Sequence, residues 1–222
     1  MDSSLKKWRR RIFLSLALPA GLALLSAGCE SYQHKPVLAD PVIKAGPAET
    51  YVKPQYQNYR AYRLAIMPFR VPTTVPDVGY PLTELFHRQL LANKTFREAI
   101  RISEYHNTMA EAQHLAKSKG AEVFLLGEVP YYLDSGTTGK SGLQVDLRVV
   151  ETATGRTIWY LTDAISSTPR PIINIWITET KPKPSASISY LAAVLANRMC
   201  HSLEDQLDQC IQQGICTPDS NS

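Results

Sequence analysis

Residues 143–161 read Leu-Gln-Val-Asp-Leu-Arg-Val-Val-Glu-Thr-Ala-Thr-Gly-Arg-Thr-Ile-Trp-Tyr-Leu. Apolar and polar residues alternate from Leu143 to Val149, which is the period of a strand with one buried face. The turn at 152–155 then leads into a second apolar run, Thr157–Leu161. This stretch predicts an antiparallel β-hairpin, and the neighbouring segments are predicted to pack around it.

Two apolar runs ahead of the hairpin predict strands that are buried on both faces. The first is Arg63–Phe69, which Pro68 brings to an end, and the second is Ala121–Val129. Continuous apolar runs of this length are typical of central strands in a sheet that is covered on both sides. A weaker strand is predicted over residues 96–102.

Three amphipathic helices are predicted between and after these strands. Pro81 suits the first turn of the first helix, and Thr108 with Glu111 forms a capping box that begins the second, which ends at Gly120. Residues 188–211 predict a long third helix. The apolar face of the first helix consists of Leu82, Leu85, Phe86 and Leu90.

The resulting order is strand, helix, strand, helix, three strands and a helix, which predicts an α/β fold with a mixed parallel and antiparallel sheet layered with helices. Residues 64–69, 120–129 and 145–159 resemble the periplasmic domains of the CsgG, PelC, LpoB and TolB N-terminal group. The resemblance spans residues 63 to about 207, and the PelC-like branch is the most similar. Its motifs are structural, so they indicate a fold rather than an activity.

The first 28 residues have the layout of a secretory signal peptide. Basic residues lead into an apolar run, Ile12–Leu25, and the small residues 26–28 precede Cys29. The run is too short for a spanning helix, which needs about 20 apolar residues. The segment resembles the lipobox of bacterial lipoproteins, which implies that Cys29 is acylated and becomes the mature N-terminus. The alternative is an ordinary signal peptide cut near a chance cysteine.

By the same resemblance, Glu30 stands where an aspartate would retain a lipoprotein in the inner membrane, so the periplasmic face of the outer membrane is the expected location. Without residues 1–28 the chain has 19 basic and 19 acidic residues, which argues against nucleic acid as a partner. The predicted organisation is a signal peptide (1–28), a lipidated N-terminus and extended tether (29–62), an α/β domain (63–211) and a C-terminal tail (212–222).

Three cysteines follow Cys29, all near the C-terminus. If one helix carries Cys200 and Cys210, about 15 Å separates them, which is beyond the reach of a disulfide. Cys210 with Cys216, across the bend at Gly214, is the predicted pair. A zinc site formed by these cysteines and His201 has no familiar spacing, so no metal site is predicted.

No catalytic residue and no cofactor are predicted. The histidines are scattered without metal-ligand spacing, and the chain has no Gly-x-Ser-x-Gly nucleophile motif. The glycine-rich segment 134–140 lies between two strands, so it lacks the following helix that a phosphate site uses and is predicted as a flexible hairpin tip. A hydrolase site assembled only by tertiary proximity stays open as an alternative.

Residues 169–184 crowd isoleucines and a tryptophan between proline-rich flanks. One interpretation is a strand paired into the sheet. The other is an exposed apolar loop in which Ile175, Trp176 and Ile177 contact a membrane interface or a neighbouring subunit, since tryptophan favours such interfaces. In PelC-like proteins the corresponding loop before the last helix faces the outer membrane, which favours the second interpretation.

The resemblance implies a non-enzymatic outer-membrane lipoprotein that forms a homo-oligomer, expected to be a ring. It would act as an accessory subunit of an envelope export system for polysaccharide or protein. CsgG-like channels contain additional long alternating segments that become membrane strands. This chain has no pair of such ten-residue segments beyond those predicted for its own sheet. The alternative is an LpoB-like tethered regulator of a peptidoglycan synthase, against which the short predicted tether argues.

Overall fold

The computed structural model describes residues 41–54, 59–170, 174–175, 178–179 and 183–212, with the backbone alone at 59, 174–175, 178–179 and 210–212. The described helices and strands are β1 (Ile43–Ala45), β2 (Glu49–Val52), β3 (Arg63–Ile66), α1 (Gly79–Asn93), β4 (Glu98–Arg101), α2 (Met109–Ser118), β5 (Val123–Leu133), β6 (Ser141–Glu151), β7 (Thr157–Ser167), β8 (Asn174–Ile175), β9 (Thr178–Glu179) and α3 (Ile188–Gln212). No helix within these ranges is long and apolar enough to cross a bilayer.

Seven strands form one mixed sheet in the order β1, β7, β6, β5, β3, β4, and β2 also pairs with β7. β3 runs parallel to both β4 and β5, and the other pairings are antiparallel. The predicted hairpin is β6–β7, and Gly155 in its turn has a φ of 72°, a conformation that favours glycine. The α/β fold with a mixed sheet layered with helices is confirmed.

The larger hydrophobic core lies between the sheet and the helices α1 and α3. The four residues predicted to face inward from β6 are all at most 2% exposed: Leu143, Val145, Leu147 and Val149. Leu191 and Leu195 of α3 and Phe86 of α1 belong to the same core. Each such side chain stabilises the fold by about 1.5–3 kcal/mol, so this layer supplies much of the driving force for folding.

A smaller core lies on the other face of the sheet, under α2. Ala112 and Ala116 of α2 pack there with Met67, Phe124 and Val150. The predicted N-terminus of α2 is confirmed, because the backbone N–H of Glu111 donates to Oγ1 of Thr108 at 3.2 Å. The Glu111 carboxylate in turn accepts from the N–H of Asn107 at 2.7 Å.

No described helix other than α2 covers this second face of the sheet. We call the part that α2 does not cover the open face. It carries Glu128 of β5, Asp146 and Arg148 of β6, and Tyr160 of β7, none of which is buried. Sequence alternation placed Asp146 and Arg148 on the polar side of β6, and the structure confirms that placement.

The expectation that residues 29–62 form a tether without strands is wrong for residues 43–45 and 49–52. Ile43 pairs with Ser167 and Thr50 pairs with Leu161, so both segments are edge strands on β7. Strands of three and four residues lack a readable alternation, and their register comes from the partner strand. The boundaries at 28, 62 and 211 stay predictions.

The segment before α3 does not join the main sheet in its described part. β8 and β9 form a separate two-stranded sheet in which Asn174 pairs with Glu179 and Ile175 with Thr178. The interpretation of this segment as a strand within the main sheet is therefore wrong for these residues. β5 and β7 are also longer than predicted, because both continue past the central core to the same end of the sheet.

Candidate functional site

Several chain segments meet at one end of the sheet, which we call the serine end after Ser141, Ser167 and Ser185. β6 begins and β7 ends there, since Ser141 pairs with Ser167. β1 begins at the same place, because Ile43 pairs with Ser167 on the other side of β7. All three serines are at most 3% exposed, so a polar cluster is buried at this end.

The hydroxyl of Ser167 links the N-terminal strand to the last helix. Its Oγ donates to the carbonyl of Val42 at 2.9 Å and accepts from the N–H of Ala186 at 2.9 Å. Both backbone groups would otherwise lack these partners in a buried region, where an unpaired group costs about 1–3 kcal/mol. Ser167 therefore holds together the start of β1 and the segment that leads into α3.

Ser185 and Ser141 extend this network to the loop between β5 and β6. The N–H of Ser185 donates to the carbonyl of Thr137 at 2.9 Å, and its hydroxyl donates to the carbonyl of Ser167 at 3.2 Å. The hydroxyl of Ser141 donates to the carbonyl of Gly136 at 3.4 Å. No described histidine or carboxylate bonds to these hydroxyls, so they lack the base that a nucleophilic serine requires.

The predicted contact segment leaves the domain from the serine end. Its base is a bridge in which the N–H of Arg170 donates to the carbonyl of Lys183 at 2.9 Å and the reverse bond is 3.2 Å. Two residues separate the paired Ile175 and Thr178. Those residues, Trp176 and Ile177, lie outside the described part of the chain, so their predicted contact role stays a prediction.

The remaining predicted site residues are not tested by the structure. Cys29 and Cys216 lie outside the described residues, and Cys210 is described only as backbone in α3. The disulfide and the acylation therefore stay predictions. Cys200 is free and 1% exposed, and burial raises the pKa of its thiol to about 12. The described residues contain no group of side chains suited to a metal ion.

Side chains of α3 hold the N-terminal strands in place. Nε1 of Trp159 donates to Oε1 of Gln206 at 3.0 Å, and Nε2 of Gln206 donates to Oγ1 of Thr50 at 3.0 Å. Arg198 donates to the carbonyl of Gly46 at 2.7 Å and pairs with the buried Asp163 at 3.3 Å. The N-terminal segment is thus attached to the domain by side-chain bonds as well as by strand pairing.

A small pocket of about 130 Å³ lies on the open face. Its polar lining includes Arg70, His106, Glu128, Asp146, Arg148 and Tyr160. The Arg148 guanidinium lies 4.8 Å from the Tyr160 ring centroid, and Arg70 donates to the carbonyl of Asn107 at 2.6 Å. The alternation along β6 predicted the polar side of that strand, but no signal in the sequence joins residues that come from five separate segments.

No protein-family profile matches the chain, and no curated protein matches it either. Among solved structures, the PelC dodecamer from Paraburkholderia phytofirmans is similar, with 18% identity, a TM-score of 0.53 and coverage of 74% of this chain and 97% of that one. A variant of the same dodecamer gives 16% identity, a TM-score of 0.50 and coverage of 73% and 98%.

The C-terminal domain of LpoB from Salmonella enterica covers 51% of this chain and 83% of its own, with 17% identity and a TM-score of 0.34, which is too low to support an argument. The two PelC structures match the mixed sheet and the three helices. The chain therefore shares the α/β fold of PelC.

Proposed function

We propose that this protein is a non-enzymatic lipoprotein of the outer membrane that assembles into a ring and serves as an accessory subunit of an envelope export system for polysaccharide or protein. The observation that carries the proposal is the PelC-like fold, which covers nearly the whole length of a protein solved as a dodecamer. The lipobox-like segment at Cys29 supports the membrane attachment.

The geometry of the serine end supports a particular orientation on the membrane. The chain from Cys29 joins the domain at Val42, so the lipid lies within about 45 Å of this end even if those residues are fully extended. The segment that contains Ile175, Trp176 and Ile177 leaves from the same end. A lipid anchor and an apolar segment that both start there would bring the serine end towards the membrane.

The oligomeric state tests the ring directly. Light scattering after size exclusion would measure the absolute mass of the protein lacking residues 1–29, with a reducing agent present to exclude cysteine cross-links. We expect a discrete assembly of many subunits, which rotational symmetry would close into a ring. A monomer at micromolar concentrations, both in solution and on liposomes, would contradict the proposal and favour the tethered regulator.

The orientation is tested by liposome binding of the same delipidated protein. Trp176→Ala should weaken binding to anionic liposomes by at least about tenfold, since burying one large apolar side chain is worth roughly 1.5–3 kcal/mol and each 1.4 kcal/mol is tenfold in affinity. Leu91→Ala is the matched control, because Leu91 is an apolar side chain of α1 that is 48% exposed. Equal binding of the Trp176 variant and the parent, or an unfolded Trp176 variant, would contradict a membrane contact at this residue.

The alternative, a tethered regulator, is less well supported by the position of the N-terminal strands. A regulator that reaches across the periplasm needs a long free segment between its lipid and its domain. Pairing of β1 and β2 with β7 leaves only the residues between Cys29 and Val42 as that segment. This shortening favours a domain held near the membrane, as an export accessory would be.

A further inference from the structure

The open face carries four charged side chains that lack ion-pair partners among the described residues. They are Arg70, Glu128, Asp146 and Arg148, and all of them line the same pocket. Three of them have other partners: Arg70 donates to the carbonyl of Asn107, Arg148 lies over the Tyr160 ring, and Asp146 accepts from the side-chain amide of Gln144 at 3.3 Å. Side chains of both signs of charge thus lie together in this pocket, with no ion pair within 4 Å between them.

The two carboxylates lie next to each other across the sheet. Glu128 of β5 is the register partner of Asp146 of β6, so their Cβ atoms are separated by only about 4.5–5.5 Å. Like charges in directly opposite positions destabilise a sheet. A bound ammonium group between the two carboxylates would remove that repulsion.

One arginine lies beside Glu128, and the other lies farther along the strand that carries Asp146. Arg70 forms a backbone bridge to Glu128, and its guanidinium reaches across to the carbonyl of Asn107. Arg148 is two residues from Asp146 on the same strand, at a separation of about 7 Å, and lies over the Tyr160 ring. A carboxylate at either arginine would therefore be close to the acidic pair.

His106 lines the same pocket and carries a buried ring nitrogen without a hydrogen-bond partner among the described atoms. It is 4% exposed, and the nitrogen without a partner is Nδ1. Burial and the nearby Arg70 lower the pKa of His106, so the ring is neutral near pH 7. A neutral imidazole has one donor and one acceptor to offer, and buried polar atoms normally have partners.

From this arrangement we infer that the open-face pocket binds a small zwitterion of the α-amino-acid type, with its ammonium at Glu128 and Asp146 and its carboxylate at Arg148 or Arg70. A cation alone would leave both arginines unpaired, and an anion alone would leave both carboxylates unpaired. Cavities of roughly 150 Å³ hold a molecule of the size of benzene, so a pocket of about 130 Å³ suits one amino-acid head with a short side chain. Leu126 and Met109 line the pocket as apolar surface for that side chain.

Calorimetric titration of the protein lacking residues 1–29 tests this inference. The probes are L-alanine and meso-diaminopimelate as zwitterions, ethylamine as the cation alone and acetate as the anion alone. We expect saturable binding of the zwitterions and at least tenfold weaker binding of the other two. Similar affinity for L-alanine and diaminopimelate would show that the amino-acid head alone is recognised, whereas tighter binding of diaminopimelate would show that the pocket also contacts the longer side chain.

Variants keep the test specific to the pocket. Glu128→Gln with Asp146→Asn, and separately Arg148→Met, should each reduce zwitterion affinity at least tenfold. Asp205→Asn, an exposed change on α3, is the control that should leave it unchanged. The inference fails if no zwitterion binds, if acetate or ethylamine binds as tightly, or if the double variant binds like the parent. It also fails if the double variant instead changes the oligomeric mass, which would make the open face a contact between subunits.

Discussion

Replacing Ser167 with alanine tests how the N-terminal strand is held to the domain. The Ser167 hydroxyl is fully buried and makes two hydrogen bonds, to the carbonyl of Val42 and from the N–H of Ala186. Alanine keeps the backbone pairing with Ile43 and Ser141 but leaves those two backbone groups without their partner. The substitution therefore isolates the contribution of a single oxygen atom.

The expected loss of stability follows from those two bonds. A buried polar group left unpaired costs about 1–3 kcal/mol, so the two groups give a range of about 2–6 kcal/mol. Val42 is only half-buried, so water can reach its carbonyl and the sum should lie at the lower end, at about 2–3 kcal/mol. For a domain of 150–250 residues each kcal/mol lowers Tm by about 2–4 °C, so Tm should fall by about 4–12 °C. The backbone amides of β1 should also be the first to lose their protection from hydrogen exchange, because few hydrogen bonds hold β1 to β7 and to the segment before α3.

Thermal unfolding followed by circular dichroism would measure the change in Tm, and hydrogen exchange would measure the protection of residues 43–45. Ser166→Ala is the matched control, because Ser166 is the neighbouring residue on β7 and its hydroxyl makes no hydrogen bond within the described residues. The reasoning is refuted if both variants unfold at the parental Tm, or if the control loses as much stability as Ser167→Ala.

Three further changes test other parts of the structure. Burial raises the pKa of Asp163 more than Arg198 lowers it, so the folded state binds this proton more tightly than the unfolded state and stability falls as pH rises through the raised pKa. Asp163→Asn should therefore flatten the dependence of the unfolding free energy on pH above about pH 4. Urea titrations at several pH values would measure this dependence, and an unchanged slope would contradict the contribution of Asp163 to it. The Cys200 thiol, with its pKa of about 12, should resist iodoacetamide in the native protein and react in urea, with mass spectrometry of the modified peptide as the readout. Gly127→Ala should lower the free energy of unfolding by about 1–3 kcal/mol, because its Cβ would overlap the Phe69 ring, and adding Phe69→Leu should recover part of that loss in denaturant titrations.

Much of the central sheet could be predicted from local patterns. The alternation from Leu143 to Val149 and the turn ending at Gly155 indicated the β6–β7 hairpin, since a strand with one buried face has a period of two. The capping residues Thr108 and Glu111 indicated the start of α2 for an equally local reason. The helical stripe over residues 188–211 likewise predicted α3 to within one residue of its observed end.

The edge strands and the candidate sites did not follow from such patterns. β1 and β2 are too short to alternate, and they are strands because β7 offers them unpaired backbone groups. Ser141, Ser167 and Ser185 are separated in sequence by 18 residues or more, and each alone resembles an ordinary polar surface residue. They are buried because the start of β6, the end of β7 and the segment before α3 meet at the same end of the sheet.

The sequence by itself determined the α/β class, the order of the central strands and helices, and the lipobox-like segment at Cys29, because hydrophobic period, capping and turn chemistry act between residues close along the chain. Only the tertiary structure decided that the N-terminal segment closes the sheet edge beside β7 and that four charged side chains without an ion pair among the described residues gather on the open face. Those features depend on which strands become neighbours, and strand order is a property of the packed sheet rather than of any single segment.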